Sequence, residues 1–370
     1  MDRNIKIIYV LAFCKNTWFW LGIWVFYYLL YTNYAGIGLI ETSLVIAMMV
    51  SEIPTGAVAD LLGKKKTLFI AFLLQAIGAF IMAFAPNFYS LVISVAIMGI
   101  GGAFYSGTLD ALTYDSLKQI GKEVIFDKVI SRINTIGLLT PAICGLIGSY
   151  LYIVRPNLPF VANAGFYTIA MVFCLFLIEP KIDTEKFSIQ NFIKQTKVGL
   201  SELFKSNIIA NQTLLLLSIG VIIVICDEIL NSFLGVEFKF TPEQLGVLWS
   251  AVYIIAAAAS HYSPQIKKHL SYKDAAILVG LLIALTLVIS PLLGLVFGGI
   301  SLIIRSALQA TYGNYSSILI NQHTESSNRA TTISTFNLFK NIPYVLTAYA
   351  LGALADHYSA MNIEIGRAHV

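Results

Sequence analysis

Gly56-Ala57-Val58-Ala59-Asp60-Leu61-Leu62-Gly63-Lys64-Lys65-Lys66 joins two long apolar runs, and its residues are those of a tight turn between helices. Gly56 lacks a Cβ and lets one helix lie close against another, while Gly63 permits a sharp reversal of the chain. The three lysines cannot enter hydrocarbon, so they end the span and anchor the loop on one side of a membrane. This reading holds only if the flanking runs are membrane helices, which the composition decides.

Only 12% of the 370 residues are charged and 57% are hydrophobic, with a mean hydropathy of +0.77, whereas a soluble domain carries about 25% charge. A water-soluble chain of this length needs charged side chains to cover its surface, so the solvent for most of this one is lipid. The net charge of +4 is spread over loops and not gathered on one face, which argues against nucleic-acid binding. Cys14, Cys144, Cys174 and Cys226 lie in apolar runs without CxxC spacing and read as small core residues. The histidines offer no metal-ligand spacing, so no metal site is expected. The start, MDRNIK, leads into an apolar run without a small-residue cleavage site and reads as a retained first span.

A helix crosses hydrocarbon in about 20 residues. Runs of that kind lie at about 7–31, 37–59, 67–85, 89–112, 129–152 and 159–178, then at about 209–234, 244–262, 274–290, 292–319 and 330–355, roughly eleven spans in all. Ala85-Pro86-Asn87 and Ser290-Pro291 punctuate them, because proline cannot continue a helix. From Glu179 to Ser206 the chain is charged and too polar to span, and reads as a linker helix lying along the membrane surface. The expected organisation is therefore a bundle over 1–178, a linker over 179–207, and a second bundle over 208–363.

Basic residues near span ends are held in the cytoplasm. Arg3 and Lys6, Lys64 to Lys66, Lys118, Lys122 and Lys128, the stretch from Lys181 to Lys205, Lys267, Lys268 and Lys273, and Arg329 all fall on one side of the alternating loops. The other side has Arg155 and Lys239. The N-terminus is therefore expected in the cytoplasm of a cell's inner, or plasma, membrane, with the chain passing through it many times. Similar span counts in the two halves point to an internal repeat. The loop SPQIKKHLSYKDA offers a weak second copy of the first one, with Lys268 where Asp60 would fall.

The stretch from Gly56 to Lys66, with its spaced Gly, Asp, Gly and basic pair between spans two and three, resembles the signature loop of the major facilitator superfamily. Leu61 departs from the basic residue usual there. SEIPTG before this loop, LDALTYDSLKQIG at the end of span four and NRATTIST before span eleven are similar to segments of prokaryotic drug-efflux-like members. Gly137-Leu138-Leu139-Thr140-Pro141-Ala142-Ile143-Cys144-Gly145 is a degenerate echo of the Gly-Pro antiporter motif, with Thr140 and Cys144 in place of glycines. The resemblance implies an all-α fold of two six-helix bundles around a cavity that opens alternately to each side. With about eleven spans the chain is one helix short of that fold. Glu364 to Val370 reads like a translated sequencing adapter, so 364–370 is expected to be a non-native tail and the natural chain to continue from near Ile363 into a last helix.

Ionisable residues inside spans are costly and mark function by default. Asp227 and Glu228, adjacent in span seven, are the leading proton-coupling candidates, followed by Asp110 and Glu52. Lys15, with Trp18 close by, and Arg305, Lys340 and Tyr105 are candidates for a substrate cavity; each also has a structural reading as a packing residue or the partner of a buried acid. Gly56, Asp60, Gly63, Lys64, Lys65, Asp115 and Arg329 form a candidate conformational latch. If the resemblance holds, Asp60 meets the start of span eleven near Arg329, while Lys64 or Lys65 pairs with Asp115.

The function expected is proton-coupled antiport that exports small organic or drug-like solutes by alternating access, driven by a proton gradient with no cofactor. The partners expected are the solute and the lipid bilayer, with the chain acting as a monomer. Proton-coupled uptake of a sugar, nucleoside or carboxylate, or a sensor without flux, are the alternatives. The sequence has no paired catalytic motif, nucleotide loop or metal cluster that would suit an enzyme.

Overall fold

In hydrocarbon every backbone N–H and C=O must find its partner within the same segment, so long apolar runs become helices. The computed structural model describes residues 2–180, 189–325 and 328–358. The expected tail at 364–370 and residues 181–188 of the linker lie outside the described residues. Among the described residues there is no strand, and the α-helices are α1 (Asp2–Lys15), α2 (Trp24–Tyr28), α3 (Tyr34–Leu62), α4 (Lys64–Ala83), α5 (Phe88–Tyr105), α6 (Thr108–Lys118), α7 (Phe126–Val154), α8 (Leu158–Leu175), α9 (Ile189–Leu203), α10 (Asn207–Ile225), α11 (Asn231–Glu237), α12 (Pro242–Tyr262), α13 (Tyr272–Ile289), α14 (Leu295–His323) and α15 (Arg329–Tyr358).

Nine segments among the described residues are long and apolar enough to cross a membrane. The expected eleven is approximate for two physical reasons. The first apolar run is broken into α1 and α2, each too short to span alone. Helix α15 is long enough, but it carries Asn337, Lys340, Asn341 and Asp356, which dilute its hydropathy.

Local chemistry sets the helix ends. The side chains of Asn87, Ser206 and Ser271 accept hydrogen bonds from the backbone N–H groups of Ser90, Ile209 and Asp274, capping α5, α10 and α13. Gly63 alone separates α3 from α4, with φ of 86°, a left-handed conformation that a side chain would strain. Gly107, at φ 71°, similarly breaks one long run into α5 and α6. Pro141 and Pro343 lie inside α7 and α15, where each removes a backbone donor.

The chain forms two compact units. The first comprises Met1–Tyr31, Ser43–Ile189 and Pro242–Ser250. Its core gathers Ile8, Leu11, Phe72, Leu112, Tyr167 and Cys174, all nearly inaccessible to solvent. The break between α1 and α2 is built on α7: a Cβ at Gly148 would stand 1.7 Å from the Phe19 carbonyl oxygen, and one at Gly145 would stand 3.2 Å from Leu21. At the break the buried Thr17 carbonyl accepts from the Phe19 N–H at 2.8 Å and from the Asn163 side chain at 2.6 Å, which ties the break to α8.

The second unit comprises Thr32–Thr42, Gln190–Thr241 and Ala251–Val370. Here the start of α3 lies against α15 so closely that a Cβ at Gly38 would meet the Ala348 carbonyl oxygen at 2.3 Å. The Asp356 carboxylate accepts from the Tyr34 and Ala35 N–H groups at 2.9 Å each, capping α3. Helix α9 docks on α15 through Gly199, whose Cβ would meet Thr335.

Many large apolar side chains face outward, among them Phe80, Ile143, Leu281, Leu292 and Leu346. Exposing each to water would forgo about 1.5–3 kcal/mol of burial. Contact with lipid removes that cost, and the chain is a multi-pass membrane protein.

Candidate functional site

Helix α10 leads into a π-helical turn, Cys226–Leu230, before α11. Single π turns widen a helix by one residue and occur often where function requires a re-aimed side chain. Asp227 and Glu228 occupy this turn, and both are exposed although protein atoms crowd around them. Accessible yet densely surrounded, both carboxylates can be reached by water or a small molecule.

Three further elements of the same unit converge on these acids. Lys340 of α15 acts electrostatically on both. Its stem occupies the space above Gly220 on α10, where a Cβ would meet Lys340 Cδ at 2.9 Å. Glu41, from the start of α3, interacts with Glu228 and is 9% exposed. Tyr253 of α12 lies in the field of Asp227 and Glu228, and Tyr344 of α15 in that of Glu41 and Glu228. Lys340 and Tyr344 are four residues apart and share a helix face.

These charges are close enough to influence one another, yet none is paired: the ion pairs among the described residues are Lys64–Asp115 and Lys205–Glu202. Tyr344 is 1% exposed, and its hydroxyl has no hydrogen-bond partner. A hydroxyl buried without a partner costs roughly 1–3 kcal/mol, a cost that a bound solute or water removes.

Arg305, expected on a cavity wall, is instead fully buried at 0% exposure. It donates to Asn231 Oδ1 at 2.9 Å, Thr286 Oγ1 at 3.1 Å and Ser290 Oγ at 3.1 Å. Because Asn231 opens the helix after the π turn, Arg305 fixes the backbone directly beyond the acids. Its place in this conformation is the core of the second unit.

In the first unit, Lys15 ends α1 with its ammonium 5.6 Å from the Tyr105 ring centroid, a cation–π distance. Trp18 stacks on Trp20 with centroids 5.5 Å apart. Asp110, in the first turn of α6, interacts with Tyr105. Lys15, Tyr105 and Asp110 thus belong to one neighbourhood, with Trp18 beyond the helix break. Glu52 is exposed on α3, away from these groups in the sequence.

At the turn after α3, Lys64 Nζ lies 2.6 Å from Asp115 Oδ2. Lys65 Nζ donates to the Leu175 carbonyl at 2.8 Å. Glu179 caps α4: its two oxygens accept from the N–H groups of Lys64 and Lys65 at 2.7 Å each. A Cβ at Gly63 would strike the Glu179 carboxyl carbon at 2.8 Å, so the glycine makes room for the cap. Asn4 completes the clasp through Ser116 Oγ and both backbone groups of Ile178. Arg329 is exposed at the start of α15. The Asp60 side chain and the surroundings of Gly56 lie outside what the structure describes.

Sequence reasoning missed Glu41, Tyr253, Tyr344, Asn4 and Glu179. Glu41 had a legible signal, a carboxylate inside the apolar run Tyr34–Glu52, whose other carboxylate, Glu52, ends it. The tyrosines had none, since nothing distinguishes them in sequence from residues of an interfacial belt.

The family model of the Major Facilitator Superfamily matches residues 7–358. Among solved structures, that of the nucleoside transporter NupG superposes with a TM-score of 0.76 at 17% identity, over 99% of this chain and 96% of that one. A point variant of NupG gives 0.78 at 18% identity, over 98% and 94%. A POT family transporter in complex with 5-aminolevulinic acid gives 0.76 at 12% identity, over 98% and 93%. No curated protein matches the sequence. At these identities the likeness establishes the fold.

Proposed function

The chain belongs to the Major Facilitator Superfamily, and on that premise we propose that it couples movement of a small organic solute to the proton gradient through the cluster of Glu41, Asp227, Glu228 and Lys340. Secondary transport follows from the family, and proton coupling is the finer step. The convergence of three carboxylates and one lysine from three helical elements, without an ion pair among them, carries the proposal. Such a group exchanges protons readily, because each carboxylate's charge depends on its neighbours and on what occupies the site.

In the cycle proposed, the cluster takes a proton from one side, the two halves rock, and the proton leaves on the other side as solute moves in the opposite direction. The membrane proposed is the inner membrane, and the lysine-rich loops support an N-terminus in the cytoplasm. The Lys64–Asp115 ion pair lies within the first unit, where it braces the turn between α3 and α4 as that half moves.

Symport of a small metabolite is the second reading. It is favoured by structural neighbours described as nucleoside and POT family transporters. Vesicles carrying the protein distinguish the two. With no pH gradient imposed, an exchanged solute makes the compartment it enters more alkaline, and a symported solute makes it more acidic. Solute flux with no proton movement would overturn the coupling.

A further inference from the structure

We propose that the solute taken by the acidic cluster of the second unit carries a protonated amine, held by Glu41 and Glu228 with the Tyr344 hydroxyl as third acceptor. This rests on the reading of that cluster as the transport site and adds the substrate's chemical class.

Charge is the first reason. Three carboxylates face one lysine, so an anion would meet an excess of like charge. With a neutral solute the excess is relieved by protonation of the carboxylates, whereas an ammonium keeps them ionised and forms charge-assisted hydrogen bonds with them. An ammonium supplies the missing positive charge. Its N–H groups are donors without lone pairs, and the site offers acceptors: carboxylate oxygens and a phenolic oxygen.

The Tyr344 hydroxyl is the second, independent reason. It is buried, at 1% exposure, and has no partner in the protein, so its acceptor capacity is unspent. Tyr344 is one turn beyond Lys340 on α15, and therefore on the face that meets Asp227 and Glu228. The rings of Tyr253 and Tyr344 add an aromatic surface of the kind that attracts organic cations.

Lys340 has a defined part in this arrangement. Its stem lies in the gap at Gly220, and in the empty site its ammonium is the positive charge closest in kind to the solute's. Solute and Lys340 then compete for the same carboxylates, and removal of the lysine leaves the amine site stronger.

The test uses the purified full chain in detergent at neutral pH and three probes of one shape: phenethylamine, phenethyl alcohol and hydrocinnamate. Binding is read from the shift in thermal unfolding midpoint against probe concentration. The expected result is half-saturation by phenethylamine at a concentration about tenfold or more below that of the other two, as loss of a charge-assisted hydrogen bond predicts. Glu41→Gln and Glu228→Gln each weaken phenethylamine about tenfold, and Lys340→Met does not weaken it. Equal response to the alcohol, preference for hydrocinnamate, or no response to any probe overturns the proposal. The ranking on the unaltered chain decides the matter even where a variant fails to fold. Amine binding without solute-coupled proton movement would remove the coupling and leave the amine site standing; proton movement with a neutral or anionic solute alone would do the reverse.

Discussion

The stem of Lys340 fills the space that a side chain on Gly220 would need: an ideal Cβ there lies 2.9 Å from Lys340 Cδ and 3.0 Å from the Tyr312 hydroxyl. Tyr312 cannot retreat freely, because its hydroxyl donates to the Leu216 carbonyl. The lysine must therefore move. Gly220→Ala is expected to lower coupled transport about tenfold, the effect of a misplaced functional group. Stability should change little, because overpacking of about 1 kcal/mol is offset by the gain of about 1 kcal/mol in helix propensity. Transport assays paired with thermal unfolding check both halves.

Lys64 and Asp115 form an ion pair at 2.6 Å, with side-chain exposures of 17% and 9%. Removing one partner leaves the other's charge poorly solvated, so Lys64→Met is expected to destabilise by about 2–3 kcal/mol. Lys64→Met combined with Asp115→Leu should recover most of that loss. If that brace also matters to the moving half, the double variant will be stable and slow in transport. A stable double variant with normal rates would leave the pair a purely structural role.

Glu179 accepts two N–H bonds from the first turn of α4. Glu179→Ala should cost about 1 kcal/mol, the typical value of a lost helix cap, and Glu179→Gln less, since the amide keeps one acceptor oxygen. Gly63→Ala is expected to be worse than either, because it adds a strained positive φ to a clash with the cap. Unfolding midpoints of the three variants in detergent give the order directly.

Glu202 links α9 to the segment between α14 and α15, accepting from Lys205 Nζ at 2.9 Å and Asn328 Nδ2 at 3.0 Å. Those hydrogen bonds hold its carboxyl below the ordinary value of 4.5. A carboxyl with a depressed pKa stabilises the fold at pH values above its unfolded pKa, and that contribution disappears as pH falls through the folded one. Helix α9 is therefore expected to stay docked at neutral pH and to loosen below about pH 4.5. Amide hydrogen exchange of 189–203 across that range would show it, and Glu202→Gln should flatten the response.

Much of the fold was legible because lipid imposes a strong rule: apolar runs must be helical, and the lysines at Lys64 to Lys66 and Lys118 must end them. The break after Lys15 was not legible, since hydropathy does not register a backbone that leaves the helix while its side chains stay apolar. The reason for the break lies on another helix, at Gly145 and Gly148, and in the Asn163 side chain that donates to Thr17. The cluster was half legible. Asp227, Glu228 and Lys340 stand out as charges in apolar runs, whereas the π turn that aims them and the arrival of Glu41 and Tyr344 depend on packing that no spacing encodes. Arg305 also stands out as a charge in an apolar run, whereas its hydrogen bonds to Asn231, Thr286 and Ser290 depend on packing between helices.

Proton coupling through Glu41, Asp227 and Glu228 is probed most sharply by Glu228→Gln in proteoliposomes. With a transported solute, two rates are measured: exchange of labelled solute against unlabelled solute with no gradient, and accumulation driven by an imposed pH gradient. Exchange is expected to persist within about tenfold of the unaltered protein while gradient-driven accumulation disappears, because the carrier still cycles but no longer exchanges a proton. Accumulation that continues undiminished in Glu228→Gln, and also in Asp227→Asn and Glu41→Gln, would contradict the coupling.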